Sequence, residues 1–183
     1  MDMADGRVCG HRSDVLPEVG LVDLDGDTPV VAALRAAVMR HRLGPGQHRF
    51  VQSPVSTLPR ADADPNRTPF AVVHEGAAVG FGIIDRDGQL REIATDPVHS
   101  VLLRAFYIAP RWQGRGLGRA ACVAVPALVT AIVPHARAVL LTVNEANPAA
   151  YRTYTAAGFV DTGRRYLGGD AGPQHVLLHT IGG

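Results

Sequence analysis

Apolar residues recur along this chain with two different periods, and the switches between those periods predict its elements. Residues 1–18 follow neither; they are polar and rich in Gly, Asp and Arg, which predicts a loose N-terminal extension ahead of a single domain over 19–183. Leu21-Val22-Asp23-Leu24 predicts a short first strand. Thr28 then supplies an N-cap with Pro29 at the first helical position, and Val31, Leu34 and Val38 keep helical spacing until Gly44-Pro45-Gly46 ends the run. A second helix around 53–62 is interrupted in sequence by Pro54 and Pro59, with Pro65 just beyond.

Phe70–His74 and Ala78–Asp85 read as two strands joined by a tight hairpin at Glu75-Gly76. Residues 89–100 form a polar connection to a strongly apolar strand, Val101–Ile108. A glycine-rich stretch leads into a long apolar helix from about Gly116 to Val133, with Pro126 predicted to kink it. Val139–Val143 is a further strand. Asn147-Pro148 caps another helix, which Gly158 stops where a left-handed residue is needed. Phe159–Tyr166 and Gln174–Ile181 complete the chain as strands. Helices interleave with strands throughout, so the fold class is α/β or α+β around one mixed sheet.

Composition narrows the chemistry. All 18 basic side chains are arginine and none is lysine, which excludes Walker-type phosphate loops, kinase strand-lysine sites and Schiff-base enzymes in their usual form. A net charge of +1 leaves no electrostatic footprint for nucleic acid or an anionic membrane. Cys9 and Cys122 are far apart, so no disulfide framework is expected and a reducing cytoplasm is the expected location. No apolar run reaches the roughly eighteen residues of a membrane span. His175 and His179 share a strand face without a third ligand nearby, so no metal site is predicted.

The segment Phe106-Tyr107-Ile108-Ala109-Pro110-Arg111-Trp112-Gln113-Gly114-Arg115-Gly116-Leu117-Gly118-Arg119 carries the chemistry. An apolar strand runs into a loop with glycines at alternate positions and then into a helix. Glycines let the backbone approach a ligand closely, and the first helical turn offers N–H groups without internal partners at the positive end of the helix dipole. Arg111, Arg115 and Arg119, at four-residue spacing, add charge-assisted contacts. The residues therefore predict a phosphate-bearing ligand bound at a helix N-terminus. Gly114-Arg115-Gly116-Leu117-Gly118-Arg119 does not fit the dinucleotide fingerprint, and no acidic residue follows about twenty positions later.

Gln113-x-x-Gly116-x-Gly118 after a strand and before a long helix resembles the acetyl-CoA signature of the GNAT superfamily of acetyltransferases. Asn147, Ala150, Tyr154, Gly158 and Phe159 match the spacing of that superfamily's other motif, on the helix after the fifth strand. Within it, Arg104–Ile108 and Gln47-His48-Arg49-Phe50-Val51 resemble the diamine (spermine/spermidine-type) acetyltransferases. The resemblance implies a three-layer sandwich, with a central mixed, mostly antiparallel sheet of about seven strands flanked by about four helices.

It also implies acetyl-CoA as co-substrate, no metal, and transfer of the acetyl group to a primary amine of a small molecule in a ternary complex. Polyamines, amino sugars, amino-acid derivatives and antibiotics are the acceptor classes. A protein N-terminal or lysine acetyltransferase, or a non-catalytic acyl-CoA-binding module on the same fold, is the alternative. Relatives are often dimers, so a homodimer is implied. By position, Phe106, Ile108 and the amides of Gln113, Gly114, Arg115, Gly116, Leu117, Gly118 and Arg119 would hold the cofactor, with Asn147 at its pantetheine end. Tyr154 would be the general acid that protonates the departing thiolate. Many relatives carry a glutamate base where this chain has Arg104. Glu92, Asp96 and His99 are the remaining candidates for that role, and Asp62, Asp64, Glu92 and Asp96 for an acidic patch that holds a polycation.

Overall fold

The computed structural model describes residues 15–169 and 172–182, so the predicted extension is described only from Val15 and Cys9 lies outside the described residues. The strands are β1 (Gly20–Asp23), β2 (Arg67–His74), β3 (Ala77–Asp85), β4 (Ser100–Ile108), β5 (Ala138–Asn144), β6 (Val160–Tyr166) and β7 (Gln174–Thr180). They form one seven-stranded sheet in the order β1-β2-β3-β4-β5-β7-β6. Every neighbouring pair is antiparallel except β4 with β5. The helices are α1 (Pro29–Met39), α2 (Pro54–Asp62), α3 (Leu90–Ile93), α4 (Leu117–Ile132) and α5 (Pro148–Ala156).

Local chemistry accounts for most boundaries. Thr28 accepts a hydrogen bond from the Val31 N–H at 3.2 Å, the N-cap expected ahead of Pro29. Pro54 stands at the first turn of α2, where its missing N–H costs nothing, and the helix continues past Pro59 to Asp62. Likewise α4 runs through Pro126 without ending. Glu75 and Gly76 both have positive φ, 48° and 75°, the primed turn that matches the twist of a two-residue hairpin. The connection over 89–100 departs from expectation, because Leu90 and Ile93 are buried and hold the short helix α3 against β4. Two apolar residues in a charged run gave too little periodicity to see this, and with α3 the described residues hold five α-helices around the expected seven-stranded sheet.

Two apolar layers cover the sheet. On one face, Val125 and Val129 of α4 pack against Phe70, Val101, Val139 and Leu177. On the other, Val31, Leu34 and Val38 of α1 and Leu58 of α2 pack against Phe81 and Tyr107. Burying each of these larger side chains contributes about 1.5–3 kcal/mol.

The strand β4 changes face partway along. Phe81 pairs with Tyr107 and Ile83 with Arg104, so Ala105 and Phe106 together oppose Gly82 alone. This is a β-bulge, and Ala105 takes the left-handed conformation it requires, at φ 52°. Simple alternation would put 101, 103, 105 and 107 on one face. The extra residue instead puts Phe106 and Ile108 with Val101 and Leu103 on the α4 side, and Tyr107 on the α1 side.

Candidate active site

The parallel pair β4 and β5 is joined only from Ser100–Leu102 to Ala138–Leu140. Beyond that register β4 continues to Ile108 and β5 to Asn144 without pairing to each other. The opening between them is a cleft of about 800 Å³, with Phe106, Tyr107 and Ile108 on one wall and Thr142, Val143 and Asn144 on the other. Residues of α4, of α5 and of the loop after α1 complete most of the lining.

Ile108 is held at the lip. The Ala109 N–H donates to Val79 O at 2.8 Å, toward β3. Alternation along the strand therefore turns the Ile108 N–H and C=O to the opposite edge, into the cleft. That carbonyl accepts from Gln113 Nε2 at 2.8 Å and Gln47 Nε2 at 3.3 Å. Gln47 Oε1 in turn accepts the Gly44 N–H at 2.6 Å. Two side chains thus pin the Ile108 carbonyl, while its N–H faces a space with no strand opposite.

The glycine-rich turn delivers the N-terminus of α4 to the same cleft. Gly114 and Gly116 have φ 74° and 80°, which favours glycine at both. Gly116 is the N-cap of α4 and has no side chain to cap it, so the first-turn amides face the cleft without a side-chain partner. Gly118 is different: it is helical, and an added Cβ would meet Thr153 and Ile108 at ordinary distances of 3.5 and 3.6 Å.

Tyr154 is placed by the way α5 ends. The Phe159 N–H reaches Tyr154 O at 3.1 Å and the Gly158 N–H reaches Thr155 O at 3.1 Å, with Gly158 at φ 96°. This is a Schellman turn, whose usual apolar contact is made here by the Tyr154 and Phe159 rings, 6.1 Å apart. Phe106, re-aimed by the bulge, lies 6.2 Å away on the other side. Burial pushes the Tyr154 phenol well above its ordinary range, so it is protonated at neutral pH. Asn147 caps α5 by accepting from the Ala150 N–H at 3.2 Å, and it also lines the cleft.

Phe106, Ile108, Gln113, Gly114, Gly116, Leu117, Gly118, Arg119, Asn147 and Tyr154 all line this one opening. Arg115 is not among them: its guanidinium lies over the ring of Trp112, itself a lining residue, at 4.9 Å. Arg111 stacks on the same ring at 5.7 Å, so of the three evenly spaced arginines only Arg119 reaches the cleft. None of Glu92, Asp96 and His99 lines it. Asp96 is paired with His99 at 2.8 Å at the far end of β4. Arg104 is engaged with buried Asp85 at 2.8 Å. Asp62 and Asp64 lie in a separate depression beside β2.

Sequence reasoning missed part of the lining. Tyr107 lines the cleft and is bonded to buried His41, whose Nδ1 lies 2.9 Å from the Tyr107 hydroxyl. His41 Nε2 lies 3.1 Å from Ala78 O, which can only accept, so the proton sits on Nε2 and Nδ1 accepts from Tyr107. Burial holds His41 below its ordinary range and pushes Tyr107 far above, so the pair is neutral. Its signal, a histidine among arginines 66 residues from its partner, is invisible to spacing rules.

A mixed sheet opened between two parallel strands, with an uncapped helix N-terminus at one end of the opening and a protonated phenol inside it, defines a coenzyme A-dependent acyltransferase. The acetyltransferase (GNAT) family's sequence model matches residues 33–159, and the chain belongs to that family. A curated relative, an uncharacterized N-acetyltransferase (YbbJ) of Bacillus subtilis strain 168, is 28% identical over 133 residues, covering 73% of this chain and 82% of its own. Among solved structures, the aminoglycoside acetyltransferase AAC(6')-Ib with coenzyme A and kanamycin superposes with a TM-score of 0.67 at 21% identity, covering 89% of this chain and 95% of its own. The spermidine N-acetyltransferase of Vibrio cholerae with CoA and spermine gives 0.59 at 16%, covering 89% and 95%. No described helix is long and apolar enough to cross a membrane.

Proposed function

We propose that this N-acetyltransferase carries the acetyl group of acetyl-CoA to a primary amine of a small molecule by direct attack in a ternary complex. The observation that carries this reading is the opening between β4 and β5, entered by the Ile108 N–H from one wall and bounded by Tyr154. The uncapped turn at Gly116, Leu117, Gly118 and Arg119 would bind the pyrophosphate, with Gln113 and Gly114 at its edge. Asn147, besides capping α5, would meet the pantetheine arm. The Arg115 side chain would steady the turn by stacking on Trp112, with its backbone amide between the lining Gly114 and Gly116.

In the reaction the amine nitrogen bonds to the thioester carbon, the carbon–sulfur bond breaks, and one amine proton leaves. The Ile108 N–H stabilises the oxyanion that forms on the carbonyl oxygen. The Tyr154 hydroxyl donates to the departing sulfur. Its phenol is a weaker acid than a thiol, so a proton passed to sulfur must be replaced promptly, and donation is coupled to loss of the amine proton.

Thiol release from acetyl-CoA with a panel of amines tests the activity, and intersecting initial-rate patterns are expected for a ternary complex. Tyr154→Phe is expected to lower kcat by roughly 10²–10⁴-fold while changing acetyl-CoA affinity little. Parallel initial-rate patterns, or full turnover by the phenylalanine variant, would contradict this mechanism.

A further inference from the structure

The cleft has an unusual charge. Among the described residues that line it there is no Asp or Glu, and its charged members are Arg49 and Arg119. Arg119 belongs to the α4 terminus and donates to Ala156 O at 3.0 Å. Arg49 belongs to a different element, the loop after α1, where Gln47, Phe50 and Val51 also line the cleft. Its guanidinium makes no ion pair with a described residue; it rests over the Phe50 ring at 5.5 Å.

Two further observations point the same way. From Thr28 to Ala61, the stretch that holds α1, the cleft-lining loop and most of α2, the sequence has five arginines and no carboxylate. His41, buried behind Tyr107, is held below its ordinary range first by burial and then by Arg111 and Arg40, with no carboxylate acting on it. The acidic residue nearest in sequence to the lining, Glu145, is engaged with Arg165 at 2.7 Å. A polycation entering this cleft would lose hydration and meet arginine. An acceptor with an anionic group would gain a partner that no described carboxylate engages.

We propose that the acceptor is a primary amine that also carries an anionic group, a carboxylate or a phosphate ester, and that Arg49 pairs with it. This rests on the acetyltransferase reading, with the proteins of similar fold named above crystallised with kanamycin or spermine. The stacked guanidinium is preorganised on Phe50, and its planar fork suits either oxyanion. The anion would anchor the acceptor while its amine reaches the Ile108 edge.

Matched probes test it: alanine and phenylalanine against their carboxamides, 2-aminoethyl phosphate against ethanolamine, and spermidine. Binding to the CoA-saturated protein is measured by calorimetry, and turnover by thiol release. The anionic member of at least one pair is expected to bind at least tenfold tighter than its neutral partner. Arg49→Gln should erase that preference, raising KM for the anionic probe more than it lowers kcat, and Arg49→Lys should restore part of it. Whether carboxylates or phosphates show the preference identifies the anion. Spermidine or the neutral partners binding best, or a preference that survives Arg49→Gln, would overturn the proposal. An anion preference in calorimetry with no thiol release by any probe would keep the Arg49 site and sink the catalytic reading instead.

Discussion

Adding one methyl group at Gly118 separates what the glycine-rich turn does for the fold from what it does for the ligand. Gly118 lies in the first turn of α4 with ordinary helical geometry, unlike Gly114 and Gly116. An alanine Cβ there would touch Thr153 Cγ2 at 3.5 Å and Ile108 Cγ1 at 3.6 Å, contacts that need no rearrangement. Replacing a helical glycine by alanine gains up to about 1 kcal/mol, which for a chain of this size raises Tm by roughly 2–4 °C. The same methyl occupies the cleft wall between α4 and the Ile108 edge. Overpacking an occupied site costs about 1–3 kcal/mol, so acetyl-CoA affinity should fall by roughly 5- to 150-fold. At ligand 100-fold above the wild-type Kd, wild type gains about 2.7 kcal/mol of stability, and a variant with a tenfold weaker site about 1.4 kcal/mol. Thermal melts with and without coenzyme A should therefore show Gly118→Ala melting higher than wild type when empty and responding about half as much to ligand. Gly116→Ala is the contrast, since its φ of 80° and a Cβ 3.3 Å from Pro17 Cδ should lower Tm of the empty protein. A Gly118→Ala protein that responds fully to coenzyme A would refute the assignment of this turn to the ligand.

Asp85 is buried and accepts from Arg104 at 2.8 Å, Arg67 at 3.1 Å and the Asp87 N–H at 3.0 Å. Asp85→Asn leaves Arg104 without its anion and Arg67 with Asp64 alone, and should cost about 3 kcal/mol, read from urea unfolding at pH 7.5. His41 is neutral in the fold and charges more easily when unfolded. Below pH ~6.5 the unfolded chain takes up the proton first, and stability falls as pH drops. Comparing unfolding at pH 7.5 and 5.5, His41→Gln should lose less stability than wild type; an equal loss would show that another group carries the acid sensitivity.

The elements were legible where side-chain chemistry is local. Thr28-Pro29, Glu75-Gly76 and Asn147-Pro148 with Gly158 mark caps and turns that form as read. The Tyr154–Phe159 pairing is local too, because the Schellman turn that makes it spans six residues of one helix end. Three features were not legible, for a common reason. The bulge at Ala105 is set by the pairing of β4 with Gly82 on another strand, and Ala105 is not a residue type that announces positive φ. The His41–Tyr107 bond joins elements that meet only in the folded chain. The even spacing of Arg111, Arg115 and Arg119 suggested one shared target, yet residues 110–112 form a tight turn and Gly114 and Gly116 redirect the backbone. A four-residue interval aligns side chains only on a continuous helix.

The cleft holds no general base of the usual kind among its described lining residues. Asp, Glu, His and Cys are all missing there, and its two tyrosines, Tyr107 and Tyr154, are both pushed up by burial and stay neutral. Arg104, at the position where many relatives carry a glutamate, is engaged with Asp85. The proton on the incoming amine therefore has to leave before attack, to solvent, and the reactive fraction of acceptor is set by the acceptor's own pKa. It follows that kcat/KM should rise tenfold per pH unit and level off at the pKa of whichever amine is supplied. Two acceptors of the same shape whose amines differ by about two pKa units should give profiles displaced by about two pH units. An enzyme base would instead impose one inflection, at the same pH for both. A fixed inflection below pH 8 would show that a carboxylate or imidazole enters the site when substrate binds, and it would return Asp96, His99 or His41 to consideration.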